Sequence, residues 1–449
     1  MSEERSVLLR KDVVEALRRG TVPRRGLDLF AVGTERFEGA LEEELERVAS
    51  GGAIFKAIRG DFGCGKSFTA RWYQQQALAA GFAVAEVQIS ENDTPLHKLE
   101  TVYRRAMEGL RTREWDEGAF RALLSEWLVS LEDEVIASGV DESDTEALSK
   151  AVGKLLEGRL AEVSAIQPQF AAALRACHEA QVREDYATSE GLMAWLMAQP
   201  NVGSDIKRKA GIKGDVDHTG ALGFLRGLLT VLMQAKRKGL MIVLDEVETI
   251  QRVRADSRER SLNALRQLID DLYGGRFPGL YVLITGTPSF FDGAHGVRRL
   301  PPLAQRLHVE FGDNPRFDNP RDVQVRLQPF DFDRLVAVGK LVRDIFPSKH
   351  QDRIQAKVTD EVIESLAHGV AGKLGGRAGV APRIFLRKLV AGLLDRVDMF
   401  EDFEPTRDFR LVVDSNELTA EERSAAGIER SVDDIELDLS SDRSEEGLD

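Results

Sequence analysis

The sequence predicts an α/β fold: a parallel sheet flanked by helices, carrying a large helical insertion and followed by a C-terminal helical domain. Three observations predict it. Continuous apolar runs, "LMIVLD" at 240–245 and "LYVLITG" at 280–286, suit strands buried on both faces of a parallel sheet. Amphipathic stretches closed by glycine, such as "SLNALRQLIDDLYGG", lie between them. A glycine-bearing turn, "IRGDFGCGKS" at 58–67, joins an apolar run to a helical one.

Taken in order, "KDVVEALRRG" and "TERFEGALEEELERVASGG" predict two helices, each stopped by glycine, as a helical lead-in over residues 1–50. "AIFKAIRG" predicts the first strand, "KSFTARWYQQQAL" the helix after the turn, and the alternating "GFAVAEVQIS" the second strand. A helical insertion follows over about 96–215, including "LHKLETVYRRAMEGLR" and "AFRALLSEWLVSLEDEVIA". "TGALGFLRGLLTVLMQAKRKG" continues the helical pattern up to Gly239. Strands then return at 240–246 and 280–288, with "VQVRLQPF" at 323–330 as a fifth, which closes a core over 51–330. "FDRLVAVGKLVRDIF", "VTDEVIESLAHGV" and "APRIFLRKLVAGLLDRV" predict a helical domain over 331–414.

The net charge is −14, but residues 415–449 hold 12 acidic and 3 basic residues, a net −9 that leaves −5 for the rest. That end, with no aromatic residue and a Ser/Asp/Glu bias, reads as a disordered acidic tail. The charge of the body gives no support to broad non-specific DNA binding, although a local basic patch stays open. The best local basic candidate is "DIKRKAGIKGD" at 205–215, with four Lys/Arg residues, either a solvated loop or a weak nucleic-acid contact. No apolar window is long enough for a membrane span, and the mixed-charge N-terminus has no signal-peptide core, so a cytoplasmic protein is expected. Two cysteines, Cys64 and Cys177, make neither a disulfide framework nor a four-cysteine zinc site.

The turn fits G-x-x-x-x-G-K-S/T with Gly60, Gly65, Lys66 and Ser67, in the required strand–turn–helix setting. Gly60, Gly63 and Gly65 permit backbone angles that aim N–H groups inward as a nest for phosphate oxygens. The N-terminus of the next helix adds partial positive charge at the same point. The nucleotide-binding set is therefore Gly60, Asp61, Phe62, Gly63, Cys64, Gly65, Lys66, Ser67 and Phe68. In it, Lys66 reaches the β- and γ-phosphates and Ser67 holds Mg²⁺. Cys64 is either a thiol activated by the helix end or a small residue that fits.

Turnover needs more than a cradle. "GLMIVLDEVE" ends an apolar strand on Asp245 and Glu246, at the strand end where open α/β sheets bind ligands. Asp245 is the second expected Mg²⁺ group and Glu246 the base for the attacking water, the competing reading being a helix N-cap. Glu248 either caps the next helix or senses the nucleotide. From Lys66 to Asp245 is 179 positions, far more than a bare nucleotide core needs, and partner or DNA engagement is the natural use of the insertion.

The order of these motifs resembles that of the AAA+ ATPases, within the branch of replication-initiator and transposition ATPases. The resemblance makes the fold a P-loop NTPase with a C-terminal helical lid. It implies that Thr285, or Thr287 next to it, orients the water near the γ-phosphate. It also implies that Arg306 in "PPLAQRLHVEF" acts on a neighbouring subunit's nucleotide, and that Arg383 in "APRIFLRKL" touches the γ-phosphate from its own chain. An always-charged planar fork suits both tasks. "IRGDFGCGKSF", "KGLMIVLDEVE" and "LITGTPSFF", with "VPRRGLDLFAVGTERF" ahead of them, look like the ATP-binding proteins of bacterial BREX-type phage-defence systems, over residues 22–418. By that likeness Arg25, Gly26 and Val32 lie near the adenine. It implies ATP and Mg²⁺ as ligands, a homo-oligomer, and DNA or other defence proteins as partners. A nucleotide-gated scaffold with little turnover, and a replication- or transposition-type loader, are the alternatives.

Overall fold

The computed structural model describes residues 3–376, 379, 381–419, 422, 423 and 426. Of the expected acidic tail at 415–449, residues 415–419, 422, 423 and 426 are described, with a short turn at Ser415–Glu417, and the rest lies outside the described residues. Internal packing divides the chain into two units. One comprises residues 1–32, 62–64 and 329–449; the other comprises 33–61 and 65–328. The predicted lead-in is thus split, because its first helix, α1 (Glu3–Arg19), packs with C-terminal helices and its second, α2 (Glu35–Ala49), packs on the sheet.

The unit spanning 33–328 is built on a five-stranded parallel sheet. Its strands are β1 (Ile54–Arg59), β2 (Ala83–Gln88), β3 (Leu240–Asp245), β4 (Leu280–Gly286) and β5 (Gln324–Arg326). They lie in the order β2–β3–β4–β1–β5. All five fall inside the runs expected as strands. The last is cut to three residues, and Pro329, which has no N–H for a ladder, follows soon after. β3 and β4 are buried along their whole length, as their unbroken apolar runs require. Helix α3 (Lys66–Ala79) follows β1 and buries Ala70, Trp72, Tyr73 and Ala77.

Between β2 and β3 the insertion forms seven helices: α4 (Leu99–Glu108), α5 (Ala119–Ala137), α6 (Thr145–Ile166), α7 (Pro168–Val182), α8 (Tyr186–Leu196), α9 (Ser204–Lys209) and α10 (His218–Gln234). Its interior is continuous with that of the sheet: one apolar cluster runs from Ala85 and Ile242 to Leu160 and Phe170. Phe224 sits at its centre, with the rings of Tyr103, Phe170 and Trp195 at 6.1, 5.1 and 5.0 Å. The insertion is rooted on β2, the edge strand, through α4 and an isolated bridge between Val84 and Arg111. After β3 come α11 (Ala255–Tyr273), then beyond β4 α12 (Pro288–Asp292) and α13 (Pro301–Arg306).

A buried polar knot fixes the middle of the sheet. Lys56 on β1, 1% exposed, pairs with Glu44 of α2 at 2.5 Å and donates to the carbonyls of Pro320 and Asp322, both at 2.8 Å. Tyr281 of β4 donates to the same carboxylate at 2.6 Å. Burial pushes the Glu44 carboxyl up, and the Lys56 charge offsets this only in part. Every charged atom here has a partner, the condition under which a buried pair is tolerated.

The other unit is helical. α1 packs on α17 (Pro382–Arg387) and the turn after it, and the unit also holds α14 (Phe332–Ile345), α15 (Gln351–Lys357), α16 (Asp360–Lys373), α18 (Asp395–Met399) and α19 (Pro405–Asp408). The helices expected at 331–399 are present, with a wide π-turn over Lys388–Leu394 joining α17 to α18. Arg18 of α1 grips Asp395 with two hydrogen bonds of 2.7 Å, which the sequence pattern gave no means of foreseeing.

Candidate functional site

Parallel register brings four strand ends to one edge. Arg59 is level with Gly286, Ile58 with Thr285, and Gln88 with Asp245. Because every strand points the same way, the residues just past these ends share the carboxyl edge of the sheet. This is how Gly60, Gln88, Asp245, Glu246 and Thr285 become neighbours despite their separation in sequence.

The loop after β1 has left-handed backbone at Gly63 (φ 80°) and Gly65 (φ 91°), where a side chain would be strained. Gly60 is not left-handed; its N–H donates to Gly286 O at 3.1 Å and anchors the loop to β4. Its expected role in bending the chain thus passes to the two later glycines. Gly65 caps α3, so the first N–H groups of that 14-residue helix have no intrahelical acceptor. Phe62 is exposed, Cys64 buried and Phe68 half-buried. Lys66 is nearly buried; its ammonium donates to Gly60 O at 3.0 Å and Asp61 O at 3.2 Å, folding back over the loop.

The acidic strand end meets the loop directly. Ser67 donates its hydroxyl to Asp245 Oδ2 at 2.8 Å, across 178 positions of sequence. Thr285 donates to Asp245 Oδ1 and accepts the Glu246 N–H at 3.0 Å. Its side chain is fully buried, so in the structure it braces the acidic pair instead of standing open to an attacking water as expected. Thr287 is turned to Ser289, their hydroxyls 2.9 Å apart. Glu246 itself has φ 59° and ψ 42°, a left-handed conformation that costs a non-glycine residue about 1–3 kcal/mol. The Thr285 hydrogen bond holds this bend and turns the Glu246 carboxylate toward Gln88, whose amide donates to it at 3.1 Å.

Glu248 is buried, 3.9 Å from the Lys66 ammonium, and burial pushes its carboxyl up despite that charge. Gln88, Glu248 and the Arg71–Glu86–Gln74–Arg111 chain of hydrogen bonds, which links α3 to β2 and Arg111, carry no motif. The one sequence signal for them was Gln88 and Glu86 breaking the apolar run of β2 near its end.

Arg306 and Arg383 are each held by groups of their own unit. Arg306 gives Nε to Asp270 and Nη1 to Pro302 O at 2.6 Å, within its own chain; Nη2 has no partner among the described residues. In the other unit, Arg383 is bound by the Glu422 carboxylate and Glu417 O, Arg25 is exposed, Gly26 is left-handed (φ 73°) and Val32 is half-buried.

Ser67 and Asp245 are adjacent hard oxygen groups beside the phosphate loop, a donor set that fits Mg²⁺ completed by phosphate and water. Among the described residues no cluster of three or more His, Cys, Asp or Glu is placed to hold a metal ion by itself, and no helix is long and apolar enough to cross a membrane.

Comparison with the curated proteins and with the solved structures returns no match. A family model described as BREX system ATP-binding protein BrxC/D matches residues 7–413, a span that contains every residue placed above except Glu417 and Glu422. The geometry and that match agree on a nucleotide site, and the chain belongs to the BrxC/D family of BREX system ATP-binding proteins.

Proposed function

We propose that the chain is an AAA+-like P-loop ATPase that hydrolyses ATP with Mg²⁺ and spends the energy on DNA or partner proteins of a defence system. The observation that carries it is the 2.8 Å hydrogen bond from Ser67 to Asp245, which makes one site of the loop and the distant acidic strand end. The position of β4, ending in Thr285, between the phosphate-loop strand and the Asp245 strand supports the AAA+ reading.

In this reading the Gly60–Phe68 segment offers backbone N–H groups and the α3 N-terminus to the phosphates. Lys66 leaves the Gly60 and Asp61 carbonyls for phosphate oxygens. Ser67 and Asp245 hold Mg²⁺, which when bound neutralises phosphate charge. Glu246 takes the proton of the attacking water, with Gln88 setting where its carboxylate rests and Thr285 holding the turn beneath it. Arg306, anchored through Asp270 with Nη2 to spare, reaches a neighbouring subunit's nucleotide. For Arg25 and Arg383, and for a lid role of residues 331–414, the reading rests on the resemblance alone.

Phosphate release from ATP by the purified chain is expected to require Mg²⁺: chelation with EDTA stops it and added Mg²⁺ restores it. Absence of release with Mg²⁺ present, with or without DNA, would reject the ATPase and leave the nucleotide-gated scaffold. That second reading has its own support, since Lys66, Glu246 and Arg306 are each engaged by groups of their own chain. A further expectation concerns assembly. Light-scattering mass should rise with ATP over ADP or no nucleotide; equal mass in all three conditions would remove Arg306 as a group acting between subunits.

A further inference from the structure

The site explains the carboxyl edge of the sheet but not the arginines beside it. Residues 251–260 read "QRVRADSRER" and residues 295–300 read "HGVRRL". They are separated in sequence by most of α11 and all of β4, yet the fold ties them together. Gln251 donates its amide to Ser289 O at 3.0 Å and accepts the Ser289 hydroxyl at 3.3 Å. Arg258 shares a hydrogen with His295 Nδ1 at 2.8 Å and donates to Val253 O at 2.9 Å, so it serves as the internal strut. Around that strut Arg252, Arg254, Arg298 and Arg299 are exposed.

Acidic neighbours do not neutralise Arg254, Arg298 or Arg299. Asp256 is engaged by Arg260 at 3.1 Å, and Asp292 by Arg59. Arg254, Arg298 and Arg299 form no ion pair among the described residues. The loop that drew attention in the sequence behaves oppositely: there Lys207 pairs with Asp215 at 2.6 Å and Lys209 with Asp185 at 2.8 Å. On a chain of net charge −14, the exposed guanidinium groups of Arg254, Arg298 and Arg299, joined by a hydrogen-bonded frame, are a local reversal of sign. The nearby aromatic rings, Phe290 and Phe291, are buried and cannot stack on bases. Forked cations without exposed rings suit the phosphate backbone of a duplex, read without regard to sequence.

We propose that this arginine surface, at the carboxyl ends of β3 and β4, binds the phosphate backbone of double-stranded DNA. It rests on the reading of DNA as a partner and assigns that partner a place. The surface is joined to Glu246 by the short 3-10 turn Val247–Gln251, so bound duplex lies one turn of chain from the acidic pair.

The test is fluorescence anisotropy of the full chain with a labelled duplex of about 30 base pairs and arbitrary sequence, without nucleotide, across a salt series. Three phosphate contacts, from Arg254, Arg298 and Arg299, predict a slope of log affinity against log salt of about −3. Arg298→Ala/Arg299→Ala should reduce that slope by about 2 and weaken low-salt binding at least about tenfold. Lys207→Ala/Lys213→Ala should change neither, and phosphate release without DNA should be the same in wild type and both variants. The proposal is overturned by no duplex binding at low salt, by an unchanged slope in the Arg298/Arg299 variant, or by an equal loss in the lysine variant. Polyglutamate displacing the labelled duplex as well as unlabelled duplex does would identify an acidic protein surface as the occupant and also overturn it. Because binding is read without ATP, failure of the ATPase reading shows separately, as missing phosphate release with duplex binding intact.

Discussion

Glu246→Gln is expected to cut steady-state phosphate release from ATP by about 100- to 1,000-fold while leaving nucleotide affinity within about threefold, in line with the usual worth of a general base. The amide is isosteric and still accepts from Gln88, so the 3.1 Å contact and the left-handed turn at position 246 both survive. What is lost is a group able to take a proton. The Asp245–Ser67 and Asp245–Thr285 contacts are untouched, and Mg²⁺-dependent binding should persist. Single-turnover phosphate release, measured beside nucleotide affinity, separates the two effects. Release within threefold of wild type would mean that another group activates the water.

Lys66→Met should weaken ATP and ADP binding by at least about 100-fold, about 2.7 kcal/mol. The thioether keeps much of the buried stem packed and removes the point charge that phosphate oxygens require. Two carbonyls, of Gly60 and Asp61, then lose a donor, and Glu248 loses the cation that lies 3.9 Å from its carboxylate. With that charge gone, the already raised Glu248 carboxyl rises further and takes up a proton more readily. Thermal unfolding without nucleotide distinguishes a local loss from collapse of the loop. If affinity is retained with an unchanged melting curve, the phosphates do not sit where Lys66 points.

Much of the site was legible because its chemistry is local. Gly63, Gly65, Lys66 and Ser67 act within one turn, and the need for left-handed backbone and a helix start shows as a glycine pattern. Asp245 and Glu246 were visible because an unbroken apolar strand can end on two acids at few places. Gln88 and Thr285 were different. The first carries no motif, and it meets Glu246 only because β2 pairs with β3 in a register that levels Gln88 with Asp245. Thr285 was foreseen as a water-facing group. β4 sits between β1 and β3, so its hydroxyl is enclosed and committed to Asp245 and the Glu246 N–H.

Charge misled for the same reason. A lysine-rich stretch at 205–215 was the visible basic candidate, yet Asp215 at its own end and Asp185 of another segment cancel two of its charges. No sequence pattern singled out the arginines of 252–254 and 298–299, which lie in segments joined by the Gln251–Ser289 and Arg258–His295 contacts.

By itself, then, the order of apolar runs and glycine stops determined the strands, the helices and the phosphate loop, since these depend on periodicity and backbone freedom over a few neighbouring residues. Strand order, register, the division of the lead-in helices and the partners of Arg306 and Arg383 were decided only in the folded chain. Those are contacts between residues far apart in sequence, selected by which buried faces and charges satisfy one another, and no short stretch of residues carries that information.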